Sequence, residues 1–233
     1  MEKTQGCLIC EKPLIYLDKK ETLKCSFCHE NFESMAMCED GHYVCDDCHG
    51  KKGIEYIIEF CESSDSKNPI EILDEIMKNP YIYMHGPEHH VMVGASLLTA
   101  YKNAGGEIDL KESLLDMKSR GEEYPGGSCG FWGCCGASVS VGMFLSIITK
   151  STPLSKESWG LINKGTAKAL DEIGSLGGPR CCKRNSFTAT KTAVEFVEEH
   201  FGIKMELPEK IQCNFYKYNK ECLVRGCPYF GRN

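Results

Sequence analysis

The sequence predicts a mainly α protein: a small metal-bound N-terminal module, then an all-α domain built around two buried central helices. Three observations carry that prediction. Sixteen of the 233 residues are cysteine, eight within residues 1–61 and eight within 129–227, with none in the 67 positions between. The first group is packed into closely spaced ligand pairs. Beyond residue 69, apolar side chains recur at helical spacing and strand-like alternation is scarce.

With 42% apolar residues the chain can bury a core, which excludes a disordered protein. Net charge is −6, and residues 1–61 hold 7 Lys against 12 Asp and Glu, so a duplex-binding surface is not expected. No basic and apolar leader opens the chain. The longest apolar stretch, Ala137–Ile148, falls short of the ~20 residues of a membrane span. A cytoplasmic protein without a membrane partner is the expectation. Reducing cytoplasm disfavours structural disulfides, so the cysteines are read as metal ligands or reactive thiols.

Residues 1–61 supply four ligand pairs: Cys7/Cys10, Cys25/Cys28, Cys38/His42 and Cys45/Cys48. Asn31–Met37 and His42–Cys45 read as two short strands around Glu39-Asp40-Gly41, and Ile54, Ile57, Ile58 and Cys61 have helical spacing. Knuckle, hairpin and a helix bearing the last pair resemble a treble-clef or RING-like zinc module. In that arrangement Cys25/Cys28 join Cys45/Cys48, and Cys38/His42 at the tip joins Cys7/Cys10, so two zinc ions are cross-braced. A short acidic segment with few large apolar side chains needs such metal to fold. His29 and His49 are spare ligand candidates, and Cys61 is expected in the core.

The polar run Glu62–Pro69 reads as a linker to a helical domain over residues 70–233. Asn68-Pro69 opens a short amphipathic helix, Ile70–Lys78. His89–Ala104 is apolar around most of its circumference and stops at Gly105-Gly106, so it is central. Asp109–Glu122 is amphipathic and exposed. Ala137–Lys150 is a second apolar helix, rich in small residues that allow close approach. Ser155–Gly174 and Ser186–Gly202 are amphipathic and end in glycine.

Chemistry concentrates between these helices. His85-Gly86-Pro87-Glu88-His89-His90 precedes the first buried helix. Gly127–Gly136 carries Cys129, Cys134 and Cys135 among glycines that let the backbone bend and approach a ligand. Gly177-Gly178-Pro179-Arg180-Cys181-Cys182-Lys183-Arg184 precedes the last helix. Thiols at helix N-termini, with three basic side chains around Cys181 and Cys182, favour thiolate. The tail adds Cys213, Cys222 and Cys227-Pro228. Three tail cysteines leave a place for a fourth ligand, with Cys181, Cys182 and Cys129 as candidates, and either an iron–sulfur cluster or a further zinc would suit them.

These segments resemble an uncharacterised cysteine-rich family, domain of unknown function 5714, of methanogens and other anaerobes. The resemblance implies no established reaction. Members are sometimes labelled methyltransferases, but this chain has no strand–Gly-x-Gly-x-x-Gly–helix unit. The leading expectation is a metalloprotein of anaerobic metabolism doing redox or thiol chemistry. Cys181 and Cys182, or Cys134 and Cys135, would act as nucleophiles or ligands; Arg180 and Arg184 would hold a small anionic substrate; His85 or His89 would move protons. The alternative is a non-catalytic, zinc-stabilised adaptor or metallochaperone with a protein partner.

Overall fold

The computed structural model describes residues 6–231. They form a two-stranded sheet, β1 (Leu14–Lys24) and β2 (Asn31–Cys38), followed by eight helices. These are α1 (Asp46–Ser63), α2 (Pro69–Lys78), α3 (Glu88–Asn103), α4 (Leu110–Glu123), α5 (Ser128–Phe131), α6 (Gly136–Ile148), α7 (Glu157–Leu176) and α8 (Cys182–Phe201). The protein is mainly α, and its sheet is confined to the cysteine-rich N-terminal segment.

That hairpin corrects the expected strand pairing. β2 pairs antiparallel with β1, from Leu14 opposite Cys38 to Lys24 opposite Asn31, with a register shift between Tyr16 and Glu21. The segment His42–Cys45 is no strand; Tyr43 makes one isolated bridge to Cys25. β1 escapes detection because Asp18, Lys19, Lys20 and Glu21 interrupt its alternation. Little of this open ribbon is buried, so its sequence need not alternate.

α1 joins the hairpin to the helices. Cys45 is its N-cap, and it runs past the expected linker boundary to Ser63. Its buried face, Ile54, Ile57 and Cys61, enters the common core, and the helix packs on α3 and α4. Cys61 is fully buried, with its carbonyl accepting from the Thr99 hydroxyl. α2 begins where Asn68-Pro69 predicts: the Asn68 side-chain oxygen accepts from the N–H of Ile70 and Glu71.

α3 is the central helix, buried along nearly its whole length. α6 crosses it where small residues allow contact: the Ser140 hydroxyl lies 2.8 Å from the Gly94 nitrogen. A methyl group on Gly142 would collide with Thr166 of α7. A third helix is buried as well, where the sequence predicts two buried helices and reads Ser186–Gly202 as amphipathic. α8 is covered from Lys183 to Thr190, and five of those first six residues are polar.

Candidate metal and thiol centre

The N-terminal ligand atoms gather at the two ends of the hairpin. Cys7, Cys10, Cys38 and His42 form one group and Cys25, Cys28, Cys45 and Cys48 the other, with all ligand atoms in each within 4.8 Å of one another. Either group could hold a metal ion. Within them Cys10 Sγ is 3.5 Å from Cys38 Sγ, Cys38 Sγ is 3.5 Å from His42 Nδ1, and Cys28 Sγ is 3.8 Å from Cys45 Sγ. Edges of that length suit four ligands about one tetrahedral ion.

Backbone N–H groups are aimed at the sulfurs. Cys7, Cys25 and Cys38 accept from the residue two positions on, Ile9 (3.4 Å), Phe27 (3.4 Å) and Asp40 (3.2 Å). Cys45, as N-cap of α1, accepts from Cys48 three positions on, at 3.5 Å. Desolvation pushes the Cys25 thiol up, but the N–H groups of Cys45, Cys28 and Phe27 outweigh it and bring the thiol down to about 6. His29 closes its knuckle with a positive φ of 63°, a position Glu11 takes in the first knuckle at 61°. Its part is in the turn, with its N–H donating to the Cys25 carbonyl.

The same pattern recurs in the helical domain. Cys181 caps α8 and accepts from Arg184 N–H at 3.5 Å, three positions on, as Cys45 does for α1. Cys222 accepts from Val224 N–H at 3.4 Å, two positions on. Cys213 and Cys227 accept likewise from Phe215 and Tyr229. The tail folds back to bring these together: Cys213 N–H donates to the Tyr229 carbonyl at 2.7 Å, and the Tyr229 hydroxyl reaches Thr188 of α8 at 3.0 Å. Burial pushes the Cys213 thiol up to about 11, and the neighbouring Cys181, Cys227 and Cys222 sulfurs push the same way. Of the three candidate fourth partners, Cys181 is the one beside the tail thiols. These four sulfurs are neighbours, yet no three of them come mutually within the 4.8 Å of the N-terminal groups.

Cys129, Cys134 and Cys135 sit on the loop that leads into α6. Their loop turns at Gly127 and Gly133, both with positive φ, and is pinned by Tyr124, whose hydroxyl donates to the Cys134 carbonyl at 2.9 Å. Cys135 Sγ accepts from Asn185 Nδ2 at 3.3 Å. Cys182 has Arg180 and Cys135 among its charged or ionisable neighbours. Burial pushes the Cys182 thiol up to about 12 in spite of Arg180. That reverses the expectation of a thiolate there: desolvation outweighs the helix dipole and the basic side chains.

The histidines of the 85–90 run also have distinct places. His90 is structural, its ring against Tyr124 and its Nδ1 3.0 Å from the Tyr124 carbonyl. Burial, with Arg180 close by, brings His85 down to about 3, so it is neutral, 3.6 Å from Glu221. Burial and Lys183 bring His89 down to about 4. Neither is a proton carrier poised near neutrality. Sequence reasoning passed over the residue between them. Glu88 is fully buried, accepts from Tyr83 N–H at 3.0 Å, and lies 3.4 Å from His89 Nδ1 and 3.7 Å from His49 Nδ1. Burial works to raise its pKa, but the two imidazoles hold it well below the usual carboxylate range. This contact also gives His49 a place beside the helical core, away from both ligand groups.

Arg184 is buried and engaged, donating to the carbonyls of Gly177 (2.7 Å) and Pro179 (3.0 Å) and to Asn185 Oδ1 (3.3 Å). It braces the turn before Cys181, which corrects the expectation that it holds a substrate. Arg180 has no hydrogen-bond or ion-pair partner among the described residues; its guanidinium lies 5.8 Å from the Tyr16 ring centre.

The family of unknown function DUF5714 matches over residues 57–230. The chain belongs to that family. Its match starts inside α1, so both N-terminal ligand groups precede it and the Cys181–Cys227 set falls within it. No curated protein and no solved structure matches the chain. Among the described residues, no helix is long and apolar enough to cross a membrane.

Proposed function

We propose that this DUF5714 member is a redox metalloprotein. In this reading two zinc ions fold the N-terminal module, and Cys181, Cys213, Cys222 and Cys227 ligate an iron–sulfur cluster in the helical domain. One observation carries it: the four helical-domain thiols repeat the N–H···S pattern of the N-terminal groups, one sulfur capping a helix and three on i+2 turns. N–H donors aimed at sulfur stabilise thiolate, the form that binds metal. Their wider separation favours a cluster over a single ion, because a cluster puts its own iron and sulfide atoms between the ligands. Four thiolates suffice for either common cluster type.

Protein purified without oxygen is expected to be brown, with sulfur-to-iron absorbance at roughly 400 nm. Cys213→Ala and Cys222→Ala should remove that absorbance and leave two zinc ions per chain. Cys182→Ala should keep it, since Cys182 is not one of the four ligands. A colourless protein with Cys181, Cys213, Cys222 and Cys227 open to alkylation would refute the cluster.

A further inference from the structure

A cavity of about 620 Å³ lies where the β1 strand, the Cys129–Cys135 loop and the start of α8 meet. Its size is that of a small-molecule site. Its walls are mostly apolar, with Tyr16, Phe131, Leu170 and Ile173 contributing side chains. Tyr16 and Phe131 stand edge to face, their ring centres 6.1 Å apart. Another part of the wall is bare backbone: Gly130, Gly174 and Gly178 line the cavity, and a Cβ on any of them would meet nothing within 4 Å. Two guanidinium groups reach it. Arg184 commits Nη2 to two loop carbonyls and Nε to Asn185, whereas Arg180 has its five N–H donors unengaged among the described residues. The acidic residue of the lining, Glu221, sits against His85.

We propose that this cavity binds a flat apolar anion, an aromatic or conjugated carboxylate, sulfonate or phosphate, whose acid group Arg180 grips while its ring packs against Tyr16 and Phe131. A planar guanidinium at the edge of an apolar cavity recognises oxyanions through paired N–H donors, and aromatic side chains with bare peptide faces accept a ring. Tyr16 lies outside the 57–230 family match, so the N-terminal module supplies one wall of the site. It is tied down there by Asp46, which accepts from Gly126 N–H at 2.7 Å. The inference deepens the redox reading by naming what the centre would act on. Only that link rests on the cluster; the binding itself does not.

The probe is 8-anilinonaphthalene-1-sulfonate, a flat aromatic anion, titrated into the full metal-loaded chain by calorimetry. One molecule per chain is expected to bind, and its uncharged analogue N-phenyl-1-naphthylamine at least tenfold more weakly. Arg180→Gln should weaken sulfonate binding about tenfold or more, the effect of one charge-assisted pair. Arg180→Lys should recover part of that loss, and Glu221→Gln should bind at least as tightly as wild type. Gly174→Leu fills the cavity from a helical position, so it should abolish binding without lowering the melting temperature. Equal affinity for the two probes, or full binding by Arg180→Gln or Gly174→Leu, would overturn the proposal. Absorbance at roughly 400 nm, recorded on the same samples, reports the cluster separately, so failure of either idea shows without the other.

Discussion

Glu88→Gln isolates the buried charge at the start of α3. The carboxylate has no solvent access, and its neighbours are the Tyr83 N–H at 3.0 Å, His89 at 3.4 Å and His49 at 3.7 Å. Removing a partner from a buried ion pair costs about 3–5 kcal/mol, and Glu88 is a buried carboxylate whose partners are an N–H and two imidazoles. Glutamine keeps the shape and an acceptor for Tyr83, so about 2–3 kcal/mol is expected. In a chain of this length that lowers the melting temperature by roughly 5–10 °C, read by circular dichroism of the metal-loaded protein at pH 7.5. The pH dependence has a defined sign. The folded-state pKa of Glu88 is depressed, so its contribution is complete above the ordinary value of 4.5 and is lost as pH falls through the folded value. The gap between variant and wild type should therefore close below about pH 4.5. His85 and His89, held near 3 and 4 against 6.5 in the unfolded chain, also make folding more favourable as pH rises across that interval, in both proteins. A melting temperature for Glu88→Gln within a degree of wild type at pH 7.5, or a gap that widens in acid, would refute the reasoning.

Three further outcomes follow from the geometry. Asn68→Ala removes the cap that accepts from Ile70 and Glu71 and should cost about 1 kcal/mol in urea unfolding. Chelation of the metal-loaded chain should strip the hairpin of hydrogen-exchange protection while α3 stays protected, because α3 has the common core and the hairpin has little buried surface. Cys182, with its thiol pushed up to about 12, should resist iodoacetamide at pH 8 in native protein and react on unfolding; rapid native labelling by mass spectrometry would contradict that raised thiol.

The cysteine spacing made the module's four ligand pairs legible, because Cys-x2-Cys lets two sulfurs reach one ion; their grouping was argued from a hairpin with one wrong strand and came out as the structure has it. Helix α2 was legible from Asn68-Pro69, and α3 from apolarity on every side. The hairpin partner was not, since β1 is mostly solvated and its charged middle erases the alternation that marks a half-buried strand. The burial of α8 was hidden for a different reason. Arg184 is held by the carbonyls of residues 177 and 179, and Lys183 reaches the Ile82 carbonyl from 101 residues away. A polar sequence looks exposed until those distant acceptors are known. The difference between Cys181 and Cys182 was equally invisible: the Cys181 sulfur caps α8 by accepting from the Arg184 N–H, while desolvation pushes the Cys182 thiol up. Glu88 stood in plain view between two histidines, yet only the fold brings His49 to it.

The most direct test of the redox reading is the zinc, iron and acid-labile sulfide content of the full chain prepared without oxygen. Two zinc ions per chain are expected together with iron and sulfide in equal amounts, with loss of the iron and sulfide alone in Cys181→Ala. Zinc without iron or sulfide, or iron that survives Cys181→Ala unchanged, would contradict it.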